Sequence, residues 1–187
     1  MRAPRLAVAT VAAGWLLASA CPAQDEPGPS VEVTPDARGA TGVIHGVVDI
    51  HAPQATVWKA LLNCSGAPSF IVNLKSCRVV RHDEAGRWDE REQISRGTIL
   101  PGVRTVIHAD YEAPSRIHFH SIAGDLRLLE GEWRLEPLDG GARTRVYYDS
   151  RLTAPYGAPG PIVRSALRSD IPKTLASLRE VSEAARP

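Results

Sequence analysis

Apolar and polar positions recur with two different periods along this chain, and the change of period marks its elements. Residues 42–51 form a β-rich stretch that stops at Ala52-Pro53, where proline ends strand pairing and opens a helix. Val57, Trp58, Leu61 and Leu62 follow at helical spacing, and beyond Ser65-Gly66 a second short helical turn runs through Pro68, Phe70 and Ile71. From Cys77 the period drops to two, which predicts strands over 77–83, 87–95, 103–112, 116–122, 127–136 and 143–153. Turn residues fall between them at 84–86, 101–102, 113–115, 123–125 and 139–141, so the six strands read as an antiparallel meander. Val163, Leu167, Ile171, Leu175, Leu178 and Val181 then return to helical spacing and predict one long amphipathic helix over 161–185.

Alternation also assigns faces. Val103, Ile107, Ala109 and Tyr111 turn inward while Arg104, His108, Asp110 and Glu112 turn outward, and Ile117 and Phe119 keep the inward parity. In the last hairpin, inward Leu129, Trp133 and Leu135 oppose inward Val146, Tyr148 and Leu152, with Glu136 near Arg143 or Arg145 on the outer face. Parity with Trp88 and Ile94 turns Glu90 and Glu92 inward, where a buried carboxyl with a raised pKa serves as a general acid or base; an arginine partner or edge exposure accounts for them equally. A three-residue turn at 113–115 sets His108 opposite His120 and Asp110 opposite His118, on an outward face where a solvated polar surface is expected and no metal is assigned.

The N-terminus does not belong to this pattern. Arg2 and Arg5 precede an uncharged run, 6–18, that is short for a membrane span and right for a secretory signal, so residues 1–23 read as a signal peptide. Cleavage has two candidate sites: after Ala18-Ser19-Ala20, which with Cys21 resembles a lipobox and makes Cys21 a lipidation candidate, or after Cys21-Pro22-Ala23. The expected location is periplasmic or secreted, with or without a lipid tether through Cys21. Residues 24–40, rich in Pro, Asp, Glu and Gly, read as a flexible tether, and 41–187 as one domain. In an oxidising compartment Cys64 and Cys77 are an even pair, either bonded or two buried thiols.

The order strand, two short helices, six strands, long helix is a helix-grip arrangement, and individual residues carry a resemblance. Ala52-Pro53, Val57-Trp58, Leu61, Pro68, Phe70-Ile71, Leu74 and Cys77 resemble the opening block of the START/Bet v 1-like superfamily of polyketide cyclases and lipid-transport proteins. Its closing block is similar to Gly131-Glu132-Trp133-Arg134-Leu135, Gly140-Gly141, Thr144-Arg145-Val146 and Pro172-Lys173-Thr174-Leu175, with the branch containing coenzyme-Q-binding START proteins most alike. Asn63 and Cys64 stand where relatives often carry an acidic and then an aromatic residue. The resemblance implies an α+β fold in which a curved sheet of about seven strands wraps the last helix, leaving a cavity for an apolar molecule. Its candidate lining is Ile107, Tyr111, Phe119, Trp133, Tyr148, Leu152, Leu167 and Leu175, which a filled core would equally use. The Pro/Gly-rich loop 154–160, with Tyr156 and Gly157, and a kink at Pro172 are candidate gates.

Composition narrows the partners. The 187 residues carry a formal net charge of +1, and removing Arg2 and Arg5 makes it −1, which leaves no general attraction for nucleic acid. No serine elbow, phosphate loop or zinc-protease motif is present, so no catalytic residue and no cofactor is assigned. The expected function is binding or carriage of a small hydrophobic ligand. The alternatives are a cyclase- or isomerase-type enzyme moving protons through Glu92, Tyr111 or Tyr148, and an envelope interaction module with a closed core.

Overall fold

The computed structural model describes residues 27–97 and 102–186. Eight strands, β1 (Ser30–Thr34), β2 (Gly42–Ile50), β3 (Leu74–His82), β4 (Trp88–Ser95), β5 (Val103–Glu112), β6 (Arg116–Gly124), β7 (Leu128–Leu138) and β8 (Arg143–Thr153), make one antiparallel sheet. Their spatial order is β1-β2-β8-β7-β6-β5-β4-β3. Helix α1 (Gln54–Leu62) and a 3-10 helix (Cys64–Ser69) carry the chain from β2 to the far edge, and the meander returns until β8 pairs with β2. Helix α2 (Gly160–Ala184) then lies across the inner face, with Leu175 and Leu178 fully buried.

Local chemistry sets these boundaries. Pro53 starts α1, and Gln54 Nε2 donates to the Leu135 carbonyl at 3.0 Å, tying the helix start to β7. Val57, Trp58 and Leu61 form its buried face. Asn63 ends α1 and begins the 3-10 helix by accepting from the Gly66 N–H at 3.1 Å, a capping role for the residue that departs from the family pattern. At Gly46 a Cβ would sit 2.9 Å from Leu175 Cδ1, so the absence of a side chain there lets α2 settle onto β2. The core joins both layers through Val48, Ile50, Trp58, Phe70, Ile117, Leu135, Val146 and Leu178.

The final hairpin has the expected register, with Trp133 opposite Tyr148 and Leu135 opposite Val146, and His108 and Asp110 oppose His120 and His118 as the turn at 113–115 predicts. Three expectations change. The sheet has eight strands, because β1 lies inside the stretch read as flexible tether: Val33 is buried, and Asp36 accepts from Arg151 Nε at 2.8 Å. The second short helix is a 3-10 helix. The face assignment of β4 is reversed, since Asp89 and Arg91 are buried while Glu90 and Glu92 lie outside among arginines. Residues 1–23, including Cys21 and both cleavage sites, lie outside the described residues.

Candidate functional site

A cavity of about 380 Å³ lies between the inner face of the sheet and the middle of α2. Six of the eight residues expected to line it do so: Ile107, Phe119, Trp133, Tyr148, Leu167 and Leu175. Phe119 and Trp133 flank Tyr148, with ring centroids 6.1 Å and 4.4 Å away. Trp133, Tyr148, Leu129 and Ile171 remain only half-buried although they sit on the core side, because the space in front of them is unfilled. An envelope module with a closed core is therefore not the architecture found.

Leu152 and Tyr111 do not line this space. Leu152 stays on the sheet opposite Leu129 and Gly42. The Tyr111 hydroxyl is drawn away into a polar cluster that sequence alternation missed. Arg91 lies at its centre, donating from Nε to Asp89 Oδ1 at 2.9 Å and from Nη2 to Asp89 Oδ2 at 2.5 Å and to the Tyr111 hydroxyl at 2.5 Å. Its Nη1 donates to the Leu61 carbonyl at 3.3 Å, which anchors the end of α1 to β4. Such a pair is tolerated below the surface because almost every donor has an acceptor. Arg91 and Gln93 also face a 50 Å³ extension of the cavity beneath Phe70 and Phe119.

The outer wall of the cavity is held by several ties. Cys64 and Cys77 are bonded, with Cα atoms 5.2 Å apart, so the 3-10 helix is stapled to β3. Between them Ile71, Val72 and Asn73 form part of the lining. The Val72 N–H donates to Thr174 Oγ1 at 3.1 Å and Asn73 Nδ2 to Asp170 Oδ2 at 3.1 Å, joining this wall to α2. Of the candidate gate elements, the loop stands apart from the cavity, whereas Pro172 sits in α2 between the lining residues Ile171 and Thr174. Tyr156 and Gly157 occupy a 3-10 turn after β8 that does not line the cavity, and α2 runs as one helix through Pro172.

Of the three proton-transfer candidates, Glu92 and Tyr111 do not line the cavity and Tyr148 does. Glu92 lies on the outer face, where Arg78 at 3.1 Å and Arg104 at 2.6 Å hold its carboxyl below the ordinary range and hence ionised. Burial pushes the phenols of Tyr111 and Tyr148 upward, so both are protonated at neutral pH. Three outward histidines lie beside carboxylates, His45 Nδ1 at 2.6 Å from Asp149, His108 Nε2 at 3.3 Å from Asp110, and His118 between Glu112 at 3.4 Å and Glu132 at 3.5 Å, while His120 rests against the His108 ring. Among the described residues no group of three His, Cys, Asp or Glu side chains is placed to hold a metal ion.

Known proteins of this shape are numerous. A STAR-related lipid transfer protein from Xanthomonas axonopodis superposes with a TM-score of 0.71 at 16% identity, covering 86% of this chain and 96% of that one. A START superfamily protein from Mycobacterium smegmatis gives 0.67 at 17% identity, covering 76% and 97%. The Zhui aromatase/cyclase from Streptomyces sp. R1128 gives 0.60 at 13% identity, covering 76% and 91%. At these identities the likeness establishes the fold. No curated protein matches the sequence. Residues 50–179 match the family model described as polyketide cyclase / dehydrase and lipid transport, a span from the end of β2 to the last turns of α2 that includes the whole cavity wall, and the chain belongs to that family.

Proposed function

We propose that this chain is an exported binding protein that holds or carries a small hydrophobic molecule in the cavity under α2, without chemistry on it. The observation that carries this reading is the unfilled space of about 380 Å³ behind Phe119, Trp133 and Tyr148, at the small end of the range for ligand pockets. Filling it removes half-exposed aromatic and aliphatic surface from water at roughly 25 cal/mol per Å², which a closed protein core would already have gained. The paired thiols support export, since a disulfide between Cys64 and Cys77 persists in an oxidising compartment and the leader with Arg2 and Arg5 directs the chain there. Binding without turnover is supported by the outward position of Glu92 and by Tyr111 standing outside the cavity lining.

Native mass spectrometry of protein purified from its own cells tests the reading. The expected spectrum shows a non-covalent adduct that organic extraction removes and identifies unchanged. Protein that carries no adduct and, once delipidated, binds no apolar probe would overturn it. The mass of the mature chain reports export and anchoring together: cleavage before Cys21 with an added diacylglyceryl group, or cleavage before Gln24 without one.

A further inference from the structure

The inner face of β4 carries Asp89, Arg91, Gln93 and Ser95 in succession, of which Gln93 and Ser95 line the cavity and Arg91 its inner extension, whereas β6, β7 and β8 present Phe119, Trp133 and Tyr148 to the same space. A cavity meant for a plain hydrocarbon has no use for such a wall, since unmatched polar groups lose hydration when an apolar molecule covers them. Arg91 is neutralised by Asp89, so the wall carries dipoles rather than net charge. Asp170, which accepts from Asn73 at 3.1 Å and lies 4.0 Å from Lys173, is the charged residue among those that line the cavity, and among the described residues no cation lines it to receive an anion. Gln93 differs from its neighbours: it lines both the cavity and its inner extension, and its amide makes no side-chain hydrogen bond within the described residues.

From this arrangement we infer that the ligand is a neutral, flat ring compound bearing a hydroxyl or carbonyl group on one edge, and that Gln93 selects it by hydrogen bonding to that edge. The inference rests on the ligand-binding reading above. An amide offers two donors and one acceptor, so it serves either oxygen function, while the aromatic side chains opposite favour a planar partner in offset or edge contact. An acyl chain ending in a carboxylate would bring a charge beside Asp170 that no lining cation balances.

Isosteric probes separate the two levels of the argument. Delipidated protein titrated with 1-naphthol, 1-methylnaphthalene and decanoate, followed by tryptophan fluorescence and calorimetry, should bind 1-naphthol about tenfold more tightly than 1-methylnaphthalene, as expected for one hydrogen bond matched in a buried site. Decanoate should bind more weakly than either. The variant Gln93→Met, close in volume, should erase the naphthol preference while leaving 1-methylnaphthalene affinity within about twofold. Glu92→Gln, on the outer face of the same strand, should keep the preference and shows that a polar change on β4 as such is not what is read. Equal affinity for the two bicyclic probes, tighter binding of decanoate, or a preference that survives in a folded Gln93→Met protein would overturn the inference and leave ligand binding standing. Failure of all three probes to bind would remove the ligand-binding reading itself, and this inference with it.

Discussion

Arg91 shows what a single side chain does in this fold. Its guanidinium is almost wholly enclosed, joins Asp89 through two donors, and reaches the end of α1 through Leu61 and the phenol of Tyr111. Removing it leaves the Asp89 carboxylate, itself 8% exposed, without its partner below the surface. Arg91→Met should therefore cost about 3–5 kcal/mol, whereas replacing both members together, as Asp89→Leu with Arg91→Met, should cost much less because no uncompensated charge remains. Urea unfolding of the wild type and the two variants measures this; a single variant with the wild-type midpoint would show that the pair does not support the cavity floor. The cluster was not legible in the sequence because β4 is polar on both faces. With Asp89, Glu90, Arg91 and Glu92 in succession, alternation carries no signal, and the apolar Trp88 and Ile94 point to the wrong parity.

At the scale of elements, legibility followed the strength of the period. β5 and β8 begin and end where their alternation predicts, since each has one clearly apolar face against the core. β1 escaped notice because two valines among Pro, Asp and Gly make no pattern of their own; Val33 is buried only when β2 pairs beside it and Arg168 of α2 donates to its carbonyl at 2.8 Å. Of the cavity, the apolar wall was readable as inward positions and the polar wall was not. Sheet curvature is likewise a tertiary property. Gly131 lies between Phe119 and Ser150, and a Cβ there would stand 2.2 Å from the Asp149 carbonyl oxygen, an atom of the backbone that cannot swing aside. The close approach of β7 to β8 depends on that missing side chain. Gly131→Ala should destabilise the fold by about 1–3 kcal/mol or more, while Gly28→Ala, with nothing within 4 Å of its added carbon, should leave the melting temperature unchanged. Equal melting temperatures for both variants would mean that the strands relax at no cost.

For the molecule as a whole, charge is concentrated outside the cavity and arranged in arginine–carboxylate pairs. Of the 22 basic residues 19 are Arg, which suits bidentate contacts, and Arg145 makes one with Asp49, at 2.7 Å from each of Nε and Nη2. Several carboxyls titrate below their ordinary range as a result: Asp49 through Arg145, Asp83 through Arg87, Glu92 through Arg78 and Arg104, and Asp36 through the Arg38 backbone and the Arg151 side chain. The sign of the consequence follows from linkage. A carboxyl whose folded pKa lies below its unfolded value, 3.8 for Asp49, adds stability that is complete above the unfolded value and is lost as pH falls through the folded one. The melting temperature should thus fall steeply below about pH 4. Asp49→Asn should melt below the wild type at pH 6, and the difference should shrink as the pH falls toward 2 and the wild-type carboxyl takes up its proton. Since Arg145 is 40% exposed and Asp49 20%, salt reaches the pair, and 0.5 M NaCl should shrink the difference at pH 6. Melting curves that stay equally far apart at pH 6 and pH 2 would show that the Asp49→Asn substitution acts through packing, and that the Asp49–Arg145 pair is not part of what protects the exterior from acid.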